Sequence, residues 1–164
     1  MPGTRIEETW DHLGLRASGS HTVVFDDVVF PLDYEIDVRK PDDWKVPDVT
    51  QATVHAIFVA AIYDGIARAA RDWLVKFLKE RVPANLGAPL ATLPRMQEVA
   101  GGIEARLAVN ARLIDSFASD FDNGFPLSAI ESNIIKLTVT NNAAAVVEDA
   151  LSLTSNHGLS RTNP

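Results

Sequence analysis

The chain has 164 residues, 46% of them hydrophobic and 23% charged, with a formal net charge of −7 and no cysteine. That is one domain's worth of ordinary globular chain, without disulfides or thiolate metal sites. An acidic chain with no Lys/Arg run is a poor nucleic-acid binder. The start, Met1-Pro2-Gly3-Thr4-Arg5, lacks the apolar core of a signal peptide. The most apolar stretch, Val54 to Ala70, is interrupted by His55, Asp64 and Arg68 and reads as too short and too charged to span a bilayer. A soluble, cytoplasmic protein is expected.

In chain order, residues 1–47 read as extended. His21 to Phe25 and Val28 to Phe30 are rich in β-branched and aromatic residues, with Asp26-Asp27 between them and Pro31 closing the run. Tyr34 to Val38 adds another extended piece, and Lys40 to Asp43 reads as a loop. Strands this few cannot make an independent sheet.

From residue 48 the period becomes helical. Asp48 can cap the first helix with Gln51 as its reciprocal partner. Apolar residues then recur at three-four spacing from Val54 through Ile57, Phe58, Ile62, Ile66 and Leu74 to Leu78, and Pro83 stops the run. A second helix starts at Pro94, with a stripe through Met96, Val99, Ile103, Leu107, Ile114, Phe117 and Phe121, and Asn123-Gly124 supplies its stop. A third opens on the capping box Ser128-Ala129-Ile130-Glu131, carries Ile134, Leu137, Ala144, Val147 and Leu151 on one face, and ends near Asn156-His157-Gly158. The fold class is therefore mainly α: an antiparallel, up-down bundle of three long helices, one short of the usual four, preceded by a short β segment. Gly101-Gly102 inside the second helix suggests close helix approach, and Asn141-Asn142 in the third suggests a subunit interface. The four His are scattered without ligand spacing, so no metal site is expected.

Three patterns in this order resemble the acyl-CoA dehydrogenase superfamily. Leu13-Gly14-Leu15-Arg16-Ala17-Ser18-Gly19-Ser20, running into Val23 through Pro31, is similar to the end of that family's middle β-domain. Asn85-Leu86-Gly87-Ala88-Pro89-Leu90 is similar to its Gln-Phe-Gly-x-Pro segment between the first two long carboxy-terminal helices. Thr154 to Pro164 is similar to the Gly-Gly-x-Gly segment after the third, with Ser155-Asn156 at the paired glycines.

The resemblance implies that residues 1–47 are a remnant of the β-domain and linker and that 48–164 are a truncated carboxy-terminal bundle. The catalytic Glu and further helices would lie outside this chain, so the chain alone is not expected to catalyse. The implied parent is an FAD-dependent oxidoreductase carrying out acyl-CoA α,β-dehydrogenation. Ser155-Asn156-His157-Gly158-Leu159 and Gly14-Leu15-Arg16 with Ser18-Gly19-Ser20-His21 are nearer the reduced-flavin monooxygenase branch of the same fold, in which FMN could replace FAD. A third alternative is a non-catalytic helical oligomerisation module.

The family's flavin contacts map onto Arg81, Asn85, Leu86 and Gly87, and onto Ser155, Asn156 and Gly158. A pyrophosphate needs N–H groups presented by small residues and a nearby cation, here Arg81. The plainer reading of these residues is a helix-stop loop with an exposed Arg. His55 falls where some members carry an alternative base, and His157 sits in the loop expected to face the flavin. Either could move a proton near neutral pH, or be an ordinary solvated or capping His. A homodimer or homotetramer through the bundle is also implied.

Overall fold

The computed structural model describes residues 2–34, 40–45, 49–126 and 128–160. The chain divides into two units, Met1–Val46 and Pro47–Pro164.

In the first unit, strand β1 (Thr4–Glu7) pairs antiparallel with β2 (Thr22–Phe25), placing Thr4 opposite Phe25 and Glu7 opposite Thr22. β2 lies where the β-branched run predicts it. Its partner, however, is β1 and not Val28 to Phe30, which forms no strand. Asp27, at φ 47, turns the chain after β2, and Leu32–Tyr34 winds into a 3-10 turn. Of the expected extended piece from Tyr34 to Val38, residues 35–38 lie outside the described residues. The ribbon is held mostly by local polar contacts. Trp10 N–H donates to His21 Nδ1 at 3.1 Å, and the Thr22 N–H to Thr9 Oγ1 at 3.0 Å.

The second unit holds three helices, α1 (Val49–Glu80), α2 (Pro94–Asp122) and α3 (Ala129–Thr154). Their ends follow local chemistry. Pro94 takes the first position of α2, Asn123 caps its end with Gly124 at φ 73, and the Ser128 hydroxyl accepts the Glu131 N–H at 3.2 Å. Asp48, the expected cap of α1, lies outside the described residues.

Cross-helix contacts give the directions. Arg68 reaches Leu107 O and Arg71 reaches Glu104, so α2 descends as α1 rises. Asn110 meets Asn142 and Arg106 meets Asp149, so α3 rises again. α1 and α3 are thus parallel, and this pair is the most extensively packed in the bundle.

The buried face of α1 keeps Ile57, Leu74 and Leu78 of the predicted stripe and departs from it elsewhere, and that of α3 differs from the predicted one throughout. α1 buries Thr53, Ala56, Ile57, Ala60, Asp64, Ala67, Leu74 and Leu78, while Phe58, Ile62 and Ile66 point outward. α3 buries Ile135, Val139, Ala143, Val146, Ala150 and Leu153, and leaves Ile134, Leu137, Ala144, Val147 and Leu151 exposed. Both helices are apolar on more than one face, so periodicity alone does not choose between them. Close packing of the parallel pair selects the small and β-branched side, where backbones approach most closely. α2, with one apolar face, buries Ile103, Leu107 and Phe117 as predicted.

Two further expectations are corrected. A Cβ at Gly101 would meet nothing within 4 Å, and one at Gly102 only the tip of Arg106, so these glycines do not mark a close helix approach. α1 contains an 18-residue window of mean hydropathy 1.3, long and apolar enough by length and composition to cross a membrane, with 28% of it buried in the fold. Asp64 and Arg68, the charges that interrupt the run, are too few to exclude it. One face of the helix packs in the bundle, and Phe58, Ile62 and Ile66 point outward.

Candidate functional site

The upper end of the bundle, where α1 stops and α3 stops, gathers most of the predicted residues. In the last turns of α1, Trp73 and Phe77 stack with centroids 5.4 Å apart, and Phe77 meets the His157 ring at 5.4 Å and 46°. This aromatic pair ties the segment after α3 to the end of α1. The Arg81 N–H still donates to Phe77 O at 2.9 Å, and Pro83 then ends the helix. The chain turns over residues 83–87, with both Leu86 N–H and Gly87 N–H on Pro83 O at 3.0 Å. Leu90 N–H donates to Arg81 O at 2.9 Å and closes the loop. Gly87 adopts φ 67 with open space around its α-carbon.

At the end of α3, Ser155 turns at φ 50 and ψ −137, and a 3-10 turn follows over Ser155–Leu159. Gly158 packs against the last turn of α3. A Cβ there would collide with Thr154 Oγ1 and lie 2.7 Å from Leu151 Cδ1. Beside it opens a slot of about 220 Å³, lined by Ala70, Trp73, Leu151, Thr154, Gly158 and Leu159 among others. The Thr154 hydroxyl is held by Ala150 O and Leu151 O, each at 3.1 Å, so the slot offers apolar contact and little proton chemistry.

A phosphate-bearing group fits part of this end. Arg81 is exposed and forms no ion pair among the described residues, and the Asn85 amide is exposed. Both can reach an anion from side chains of the correct type. The backbone does not provide what the sequence suggested at Leu86 and Gly87, because both N–H groups are already donated to Pro83. Binding here would rely on the Arg81 guanidinium and the Asn85 side chain. Ser155, Asn156 and His157 are exposed, and Leu86 and Gly158 are half-buried.

His55 is elsewhere. It is exposed near the start of α1, on the outward side that also carries Phe58 and Ile62, and roughly 33 Å along the helix from Phe77. His55 and His157 are therefore not members of one site within the bundle.

Periodicity missed a polar chain in the middle of the bundle. Asn110 Nδ2 donates to Asp64 Oδ1 at 2.9 Å, Asn142 Nδ2 donates to Asn110 Oδ1 at 2.8 Å, and Arg68 Nε meets Asp64 Oδ2 at 2.6 Å. Asn142 thus faces its own bundle, in place of the expected subunit interface. The available signal was Asn110 falling on the apolar stripe of α2 between Leu107 and Ile114. Arg71, half-buried nearby, is hydrogen-bonded to Glu104, which raises its pKa above the ordinary arginine value. Burial opposes this, and the Glu104 and Asp72 charges add to the rise.

The acyl-CoA dehydrogenase C-terminal domain family model matches residues 48–164. The chain is 32% identical to YdbM of Bacillus subtilis strain 168, named for the acyl-CoA dehydrogenases, over 99% of its own length and 42% of that protein. It is 35% identical to the L-evernosamine nitrososynthase of a Micromonospora strain, over 98% of this chain and 40% of that one. It is 32% identical to the indole-3-acetate monooxygenase of Pseudomonas putida, over 90% and 40%. Butyryl-CoA dehydrogenase from Megasphaera elsdenii shares the fold, with a TM-score of 0.81 at 24% identity over 99% of this chain and 41% of that one. The chain spans about two fifths of the length of the curated relatives it matches. The family is one of flavoproteins. The domain match, the two-strand ribbon followed by three long helices, and the shared fold together show that the chain belongs to the acyl-CoA dehydrogenase family, with residues 48–164 matching its C-terminal domain.

Proposed function

We propose that the upper end of this bundle is the dinucleotide end of an FAD site in an oxidoreductase whose parent reaction is acyl-CoA α,β-dehydrogenation. The observation that carries this reading is the Phe77–His157 contact, which brings the segment after α3 against the end of α1, from which the Arg81–Gly87 loop leaves. In this reading Arg81 balances phosphate charge and Asn85 hydrogen-bonds the nucleotide. Ser155, Asn156 and Gly158 line the approach. Bound flavin would supply the redox chemistry, and the chain's own residues bind and orient it. In this reading His157 lies in the segment that faces the cofactor, whereas a role for His55 would belong to a separate surface.

A second reading, a reduced-flavin monooxygenase, is supported by the names of the Micromonospora and Pseudomonas relatives. In that case FMN would be an adequate ligand. The cysteine-free composition supports a reducing cytoplasmic setting for either. The outward Phe58, Ile62 and Ile134 support a homodimer or homotetramer, since exposed apolar faces favour being covered.

Titration of the purified chain with FAD and with FMN, followed by flavin fluorescence, tests the proposal. FAD is expected to bind saturably and more tightly than FMN. Arg81→Ala is expected to weaken FAD by about tenfold or more, as for loss of a charge-assisted contact, and to leave FMN unchanged. Equal affinities for the two flavins would favour the second reading. No binding of either would remove the cofactor assignment, and the mass of the flavin-loaded species gives the oligomeric state.

A further inference from the structure

The Asp64–Asn110–Asn142 chain draws one side chain from each of the three helices to a single level, away from the bundle end. Asn110 is fully buried and Asp64 is 6% exposed. Arg68 closes the chain on one side, with its second nitrogen donating to Leu107 O at 3.3 Å. Buried polar groups cost free energy even when satisfied, and apolar residues of similar volume in their place are often neutral or stabilising. Stability alone therefore gives no reason for the chain to be there.

Its surroundings supply one. α1 presents Thr53, Ala56, Ala60 and Ala67 to the bundle, and α3 presents Val139, Ala143, Val146 and Ala150. With Ile57, Leu74 and Leu78 of α1 and Ile135 and Leu153 of α3 included, each face places an apolar residue at nearly every turn, so a slip of one turn lays apolar residues on apolar residues again. The connections do not prevent it equally. α2 and α3 are joined by the short segment 123–128, whereas α1 is joined to α2 by the longer 81–93.

We propose that the Asp64–Asn110–Asn142 chain sets the register of α1 against α2 and α3, selecting one packing among near-equivalent ones. A one-turn slip, about 5.4 Å, would part Asp64 Oδ1 from Asn110 Nδ2 and leave that buried acceptor and donor without each other, while Arg68 stays on Asp64 and Asn142 on Asn110. A polar residue in an otherwise apolar seam is a well-attested way to fix register. The lock acts on the fold itself. Only its consequence for the spacing of the Arg81 and Ser155 loops rests on the flavin reading.

The experiment needs no flavin. The chain has no cysteine, so Lys79→Cys and Ser152→Cys, both at exposed positions, accept spin labels at the ends of α1 and α3. Pulsed electron paramagnetic resonance on this background is expected to give one narrow distance. With Asp64→Leu, Asn110→Leu and Asn142→Leu added together, the helical spectrum and melting temperature should be retained or rise. The distance distribution should broaden or split by several ångströms, toward a one-turn slip of about 5.4 Å. Asp64→Asn alone, which preserves the amide chain, should keep the narrow peak. An unchanged narrow peak in the folded triple variant overturns the proposal. Loss of folding also overturns it, because the chain would then be a source of stability and not a selector of register.

Discussion

Ser155 occupies φ 50 and ψ −137, backbone in which a Cβ crowds its own carbonyl, and it stands where the resembled segment has a glycine. Ser155→Gly removes that crowding and should raise stability by about 1 kcal/mol, seen as a melting temperature higher by roughly 2–4 °C. An unchanged or lower value would mean the serine side chain holds the turn through a contact worth as much as the strain. At this scale the sequence was partly legible. Arg81, Asn85 and Gly87 could be named because the run Asn85-Leu86-Gly87-Ala88-Pro89 resembles the family's Gln-Phe-Gly-x-Pro segment. The donation of the Leu86 and Gly87 N–H groups to Pro83 could not be read, because it depends on the turn geometry. The Asp64–Asn110–Asn142 chain was hidden for a related reason: three residues far apart in sequence share a level only after the helices are aligned.

Helix positions and ends were legible almost to the residue, since Pro94, Asn123-Gly124 and the Ser128–Glu131 cap act through neighbours in sequence. Helix faces were less so. α2 was read correctly at Ile103, Leu107 and Phe117, although Phe121 is exposed, whereas α1 keeps only Ile57, Leu74 and Leu78 of its predicted stripe inside and α3 none of its own. The β1 strand was missed because Thr4-Arg5-Ile6-Glu7 is half charged and declares itself only when β2 pairs with it. Gly101 and Gly102 lie in the interior of α2 with open space around them, so they carry the entropic cost of glycine without a packing benefit. Gly102→Ala is therefore expected to stabilise by about 1 kcal/mol in thermal or urea unfolding. A loss of stability would show that something approaches this face of α2 in solution.

At the scale of the molecule, a parallel pair, α1 and α3, is bridged by an antiparallel α2, so the Arg81–Gly87 and Ser155–Gly158 segments emerge at one end. His55 is left toward the other, and Phe58, Ile62 and Ile66 of α1 and Ile134 and Leu137 of α3 are left outside. The family was legible from three motifs in order, and the domain match bears it out. The measurement that bears most directly on the flavin reading is amide chemical-shift mapping of the isotopically labelled chain as FAD is added. Shifts concentrated at Arg81–Gly87 and Ser155–Gly158, with His55 unmoved, are the predicted result. Shifts centred on the His55 end of α1, or none at saturating FAD, would contradict it.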